Sequence, residues 1–242
     1  MKKLIAWLIL LFIPLASVAE TADVYRSGDP TVSKIAITVD DCRNMTVFEG
    51  MLNLFKEEGI HATFFVVGNA LQEKDRALWQ RAVAEGHEIG NHTFGHADLS
   101  RTTRRTILSQ LHRTEAALDL ILGYHYQMRV MRPPYGHIAV RGTLGPVLDA
   151  GYSHVILWSV SQTDPEIALK KIKNGSICLY HTNTKDLRCL KELIPRLKAE
   201  GYEMVTVSEL FGFEPPGPIA PTPDPPDPAS SLPTATPEAA KP

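Results

Sequence analysis

Seven short runs of apolar and β-branched residues recur along this chain, separated by stretches with helical periodicity that mostly end in glycine. The runs are KIAITV (34–39), ATFFVV (62–67), HEIGNH (87–92), MRVMR (128–132), HVILW (154–158), SICLYH (176–181) and EMVTV (203–207). Between them lie segments such as VFEGMLNLFKEEG, TTRRTILSQLHRTEAALDLILG and LRCLKELIPRLKAEG. A glycine after the last periodic residue is a common helix stop, because it enters the left-handed region without a Cβ clash. Sustained strand–helix alternation requires parallel strands joined by helical crossovers, so the expected class is α/β, with a closed or nearly closed barrel covered by helices.

In such barrels chemistry collects where strands end and the following loops begin. The reactive side chains of this chain stand there. Asp40 and Asp41 close the first run, His92 and His96 follow the third, Arg132 ends the fourth, Asp164 comes shortly after the fifth, and His181 ends the sixth. Neighbouring strand residues point to opposite faces, so Asp40 and Asp41 cannot flank one bond as a glycosidase pair does. Asp41 with His92 and His96 offers one carboxylate and two imidazoles to a divalent cation, with positions left open. Asp40 is then free to act as a base, Arg132 to hold it, and His181 to protonate a departing amine. An open-site metal polarises a carbonyl and lowers the pKa of water, as hydrolysis of an unreactive amide requires.

Taken together and in this order, TVDD, HTFGH, RPPYG and LYH resemble the motifs of the polysaccharide deacetylases of carbohydrate esterase family 4, the NodB-homology group, over about Ile35 to Leu210. The resemblance implies a distorted (β/α)7 barrel, TIM-barrel-like, that removes acetyl groups from N-acetylglucosamine polymers. It implies Asp40 as catalytic base, Asp41, His92 and His96 as metal ligands, and Thr93 as a prop for the loop between the histidines. It further implies Arg132 as partner of the base, the Tyr135 N–H as donor to the oxyanion, Leu179 as wall of the acetyl pocket and His181 as general acid. Two imidazoles and a carboxylate suit Zn2+ and also accept Co2+, Ni2+ or Fe2+.

Three departures stand out. The glycine usual after the aspartate pair is Cys42. The family's D-x-x-D-W appears as SQTDP, so Ser161 and Pro165 replace its first aspartate and its tryptophan, while Asp164 is retained and is expected to orient His181 or Arg132. Trp158 is a candidate for the lost pocket wall, its other reading being plain core. The third departure is size, since no recognisable carbohydrate-binding module accompanies the barrel. Arg101, Arg104 and Arg105 are candidate contacts for an acidic glycan or simply a solvated helix face. His61, His87, His112, His125, His137 and His154 match no motif.

The domain is expected from 23 to 213. Before it, residues 1–19 carry a lysine pair, an apolar run from Leu4 to Leu15 and small residues Ser17 and Ala19, the pattern of a cleaved signal peptide. After it, 214–242 hold eleven of the eighteen prolines and almost no large apolar side chain, which predicts a disordered tail. The three cysteines are an odd count, leaving at least one thiol unpaired or joined to another chain. A net charge of −2 gives no basic footprint for nucleic acid. The expectation is an exported monomer, periplasmic or extracellular and without a stable membrane anchor after cleavage. Its partner would be an N-acetylated glycan polymer, peptidoglycan first and chitin-like or exopolysaccharide next. The alternatives are a related amidohydrolase acting on a small molecule and a non-catalytic glycan-binding relative.

Overall fold

A computed structural model describes residues 22–139 and 142–218. The expected signal peptide and the tail from 219 onward lie outside the described residues. The strands are β1 (Asp23–Tyr25), β2 (Lys34–Asp41), β3 (Thr63–Val66), β4 (Glu88–Asn91), β5 (Tyr126–Gln127), β6 (Val130–Met131), β7 (His154–Ile156), β8 (Ile177–His181), β9 (Glu203–Val205) and β10 (Gly217–Pro218). The helices are α1 (Met45–Glu58), α2 (Arg76–Ala84), α3 (Arg104–Leu122), α4 (Leu144–Asp149), α5 (Pro165–Lys171), α6 (Thr184–Ala199) and α7 (Val207–Phe211). No helix among the described residues is long and apolar enough to cross a membrane.

Local sequence sets these boundaries. The side chains of Asn44, Thr103 and Asn183 accept the first free N–H groups of α1, α3 and α6, and Gly59 and Gly123 close α1 and α3 in the left-handed region. β3 and β4 are buried along their whole length, as parallel strands under helices must be.

The sheet runs β1-β7-β6-β4-β3-β2-β8, all parallel, with β9 added to β2. β2 is the hub. Its last residues pair with β3 (Thr38–Thr63 through Asp41–Val66), its first with β9 (Lys34–Glu203 through Ala36–Val205), and its other edge with β8 (Ala36–Ile177 through Asp40–His181). The sheet curls until the chain just past β7 meets β8, where Val160 bridges Cys178 and the Ser159 N–H donates to the Ile177 carbonyl at 3.1 Å. The result is a distorted (β/α)7 barrel built from β2, β3, β4, β6, β7, β8 and β9, with β1 as an addition alongside β7.

Strand alternation sorts side chains into two cores. Ala36, Phe65, Val130, Ile156, Ile177 and Val205 meet inside the barrel, where Val207 and Leu210 of α7 pack against them. Ile37, Val39, Phe64, Ile89, Val155 and Tyr180 point outward, beneath Phe48, Phe55, Trp79, Leu111 and Leu193 of the helices. All three cysteines are free and buried.

The domain runs past its expected end at Phe213. Glu214 pairs with Arg129 at 2.7 Å, and β10 lies antiparallel to β5, so the first residues of the proline-rich segment still belong to the folded body. Gly217 and Pro218 lend only backbone there, which is why their composition does not announce it.

Candidate active site

Polarity climbs along the inward face of the strands. β2 presents Ala36, then Thr38, then Asp40; β8 presents Ile177, Leu179, His181; Val130 is followed two residues on by Arg132. The apolar ends fill the barrel, and the reactive ends reach the rim where the strands stop.

Asp41, His92 and His96 come together there, with one potential ligand atom from each within 4.8 Å of the others. His96 Nε2 is 3.4 Å and His92 Nε2 3.8 Å from Asp41 Oδ1. The donors fit a cation. His92 Nδ1 lies 2.7 Å from the Arg132 carbonyl, which can only accept, so Nδ1 carries the proton and Nε2 keeps its lone pair for a metal. Burial also holds the His92 imidazole below its ordinary pKa, in the neutral form that ligation requires. Asp41 Oδ1 is buried with no hydrogen-bond partner among the described residues, an orphan that a cation would satisfy. The Tyr135 hydroxyl stands 3.2 Å from His96 Nδ1, a side-chain contact that the motif reading did not anticipate. Thr93 Oγ1 accepts the Ala97 N–H at 3.1 Å and so braces the loop between the histidines.

Asp40 faces Arg132. Arg132 Nη1 donates to Asp40 Oδ1 at 2.6 Å and to Thr38 Oγ1 at 2.8 Å, while Nε and Nη2 donate to the carbonyls of Ile156 and Leu157, each at 3.1 Å. The guanidinium also lies over the Phe65 ring, 4.1 Å from its centroid. A fully buried arginine is costly unless its donors are met, and here every nitrogen has an acceptor. Asp40 Oδ2 remains 3.7 Å from His92 Nε2, beyond hydrogen-bond distance.

His181 sits opposite Asp40 in the β2–β8 register. Its neighbour is Asp186, in the first turn of α6. Asp186 Oδ2 accepts the His181 backbone N–H at 2.7 Å and lies 3.8 Å from Nδ1. The carboxylate raises the imidazole above its ordinary pKa, helped by Asp40 and Asp41 and opposed by burial. Asp164 does not take the expected place. It is exposed, and its carboxylate accepts the Ile167 N–H at 3.0 Å as the cap of α5, because Pro165 starts a helix directly after it. Sequence reasoning passed over Asp186 although HTNTKD carries a readable sign: an asparagine followed three residues later by an acid is a helix-start pattern.

Leu179 lies buried inside β8, level with Thr38. Trp158 is half-buried, against the inner core and 5.8 Å from the Arg132 guanidinium. A Cβ on Gly136 would stand 2.9 Å from the Trp158 ring, so the tryptophan supports the RPPYG loop from below. Tyr135 is 59% exposed, with its backbone at φ 63 and ψ 1. Arg104 pairs with Asp149 and Arg105 is exposed, whereas Arg101 turns toward the rim.

Asp41, Cys42, Thr93, His96 and Tyr135 are the non-glycine residues with positive φ among the described residues. Each such L-residue costs roughly 1–2 kcal/mol, and all five stand at this one rim. Strain of this kind persists only where the surrounding structure over-determines it, which is characteristic of functional sites. Cys42 is fully buried, and its thiol points at the Val39 carbonyl 3.7 Å away. Burial, with Asp40 and Asp41 nearby, pushes that thiol well above its ordinary pKa, and among the described residues the clustered ligand atoms come from Asp41, His92 and His96 and not from Cys42.

The family model for polysaccharide deacetylase matches residues 27–166. The chain belongs to the polysaccharide deacetylase family. A peptidoglycan-N-acetylglucosamine deacetylase of Listeria monocytogenes is 32% identical to this deacetylase-family chain over 192 residues, which are 75% of the chain and 40% of the relative. The chain thus spans less than half the length of that relative. The solved structure of the Bc1960 peptidoglycan N-acetylglucosamine deacetylase, bound to an N-hydroxybenzamide compound, superposes with a TM-score of 0.71 at 28% identity, covering 79% of this chain and 94% of that one. A family 4 pseudoenzyme from Bacillus anthracis shares the fold with a TM-score of 0.70 at 22% identity, covering 78% and 68% of the two chains.

Proposed function

We propose that this chain is a metal-dependent N-deacetylase that removes acetyl groups from N-acetylglucosamine-containing glycan, outside the cytoplasm. The observation that carries the reading is the placement of a buried carboxylate, Asp40, and an imidazole, His181, on paired strands beside the Asp41–His92–His96 cluster. A bound divalent cation, Zn2+ before Co2+, Ni2+ or Fe2+, would supply Lewis acidity toward the acetamide and lower the pKa of water.

The chain's own residues account for the proton movements. Asp40 Oδ2 takes the proton from the attacking water, while Arg132 fixes the carboxylate through Oδ1. The Tyr135 N–H donates to the oxygen that becomes negative as the acetamide carbon turns tetrahedral. His181 delivers a proton to the glucosamine nitrogen, the C–N bond breaks, and acetate leaves a free amine behind. Leu179 and Trp158 shape the space for the acetyl methyl. Asp164 serves this site only through α5, as a helix cap.

Peptidoglycan is placed ahead of uncharged chitin because of a groove of about 420 Å³ beside the catalytic loop, lined by Arg26, Ser100, Arg101, Gly136, His137 and Ile138. The Arg101 side chain is 83% exposed, and its partner Asp98 is shared with His137. Two guanidinium groups against one carboxylate favour an acidic glycan, such as one whose sugars carry lactyl carboxylates. The relationship to cell-wall deacetylases and the leader-like N-terminus agree with an exported, periplasmic or extracellular site of action, and a monomer is the simplest assembly.

The test is acetate release by the purified protein from peptidoglycan and from chitooligosaccharide, with and without chelator. Release from both with preference for peptidoglycan, abolished by chelator, is expected. Replacing Arg26 and Arg101 together by alanine should raise KM several-fold for peptidoglycan alone. No release from either substrate would favour the binding-protein alternative.

A further inference from the structure

A general acid transfers its proton only when its ring is held with the right nitrogen toward the leaving group and the other nitrogen tethered. In SQTDP the retained aspartate is engaged elsewhere, capping α5. We propose that Asp186 is the positioning carboxylate of His181, the role that the altered segment does not fill. The inference rests on the deacetylase reading of the site and assigns a residue that the four motifs leave out.

Three observations carry it. Asp186 is almost fully buried, yet its Oδ1 has no hydrogen-bond partner among the described residues, which is costly for a carboxylate unless a donor reaches it in the working state. Its other oxygen, Oδ2, already accepts the His181 backbone N–H at 2.7 Å and the Asn183 amide at 3.0 Å, so the carboxylate is fixed in place. His181 Nδ1 stands 3.8 Å from Oδ2, one small ring rotation from a bond to this carboxylate. With Nδ1–H tied to Asp186, Nε2–H is the donor left for the leaving nitrogen, on a residue that pairs with Asp40 in the strand register.

The sequence explains why this position serves. Asp186 is three residues past the Asn183 cap, and the cap side chain accepts the Asp186 N–H at 2.9 Å. Helix geometry therefore turns the acid back toward the residue that ends β8. The negative groups acting on His181 are Asp186 from α6 and Asp40 and Asp41 from β2. Arg132 pairs with Asp40, and Asp41 belongs to the cation cluster, so among the described residues Asp186 is the one with no other counter-charge.

The experiment compares the wild type, Asp186→Asn and Leu197→Ala on two substrates: peptidoglycan, whose amine must be protonated to leave, and 4-nitrophenyl acetate, whose phenolate leaves unprotonated. In Asp186→Asn the alkaline limb of kcat on peptidoglycan should move about one unit to lower pH, with kcat falling about tenfold above it and KM unchanged. Turnover of 4-nitrophenyl acetate should stay within about twofold. Leu197→Ala, which opens a cavity under the far end of the same helix and leaves the hydrogen bonds of Asp186 intact, should lower Tm and leave the limb in place. An unmoved limb in Asp186→Asn, equal losses on both substrates, or the same shift in Leu197→Ala overturns the proposal. Failure of the wild type to release acetate from peptidoglycan or chitooligosaccharide overturns the deacetylase reading itself and is seen before any variant is compared.

Discussion

Asp40 and Glu88 are both carboxylates buried inside one barrel, at opposite ends of it. At the floor, Glu88 accepts the Thr63 hydroxyl at 2.7 Å, the Ser208 N–H at 3.1 Å and the Ser208 hydroxyl, so both of its oxygens are occupied. At the rim, Asp40 Oδ1 accepts from Arg132, and Oδ2 has no donor among the described residues. Backbone geometry differs in the same sense, since the left-handed non-glycine residues cluster at the rim, while the floor ends in the regular capping box of Thr206 and Glu209. A carboxylate satisfied on all sides fastens α7 to the barrel. One with an oxygen to spare beside a cation cluster is equipped to take a proton.

The largest expected effects come from the rim. Asp40→Asn should cut acetate release by about 10²- to 10⁴-fold, the usual contribution of a general base, with the metal-to-protein ratio measured by elemental analysis unchanged. His92→Ala should cost as much activity and also empty the cation site. Metal loss in the first variant would mean that the two aspartates have exchanged roles, and a full metal complement in the second would remove His92 from the ligand set.

The floor should answer in stability and not in rate. Glu88→Ala strands the Ser208 N–H and two hydroxyls, costing about 2–3 kcal/mol, visible as a lower Tm, with kcat below the transition unchanged. Burial raises the Glu88 carboxyl above its ordinary pKa, against the hydrogen bonds from Ser208 and Thr63. The folded state therefore binds that proton more tightly than the unfolded chain, and the group's contribution is fullest at low pH and declines as pH rises through the folded pKa. Glu88→Gln should remove this component of the pH dependence. A Glu88 variant with normal Tm and impaired turnover would break the contrast between the two ends.

The difference between the ends also governs what could be read beforehand. Strands such as Thr63–Val66 were legible because burial on both faces demands a continuous apolar run. The gathering of Asp40, Asp41, His92, His96, Arg132 and His181 was legible because strand ends force such side chains onto one rim. β1 was not, since Asp23–Tyr25 is largely exposed and its pairing with β7 is a backbone matter. Asp164 misled because the retained letter of a motif does not show that Pro165 has turned it into a helix cap. Glu88 gave no sign either: a carboxylate opening a strand reads as solvent-facing until α7 folds across it.

The smallest effect should come from Cys42, which shares features of both ends. Its backbone is left-handed, φ 56, as at the rim, while its side chain is fully buried in the outer core. Cys42→Gly relieves a strain of roughly 1–2 kcal/mol, and it also vacates packed volume next to Val39 worth a similar amount. The two terms oppose each other, so Tm should move by only a few degrees in either direction. Because the thiol neither reaches the cation cluster nor ionises readily, kcat and metal content should stay at wild-type levels, and the native protein should resist inactivation by thiol-alkylating reagents. A large gain or loss of activity in Cys42→Gly would show that the curvature of the chain after Asp41, and not only the ligand set, controls the reaction.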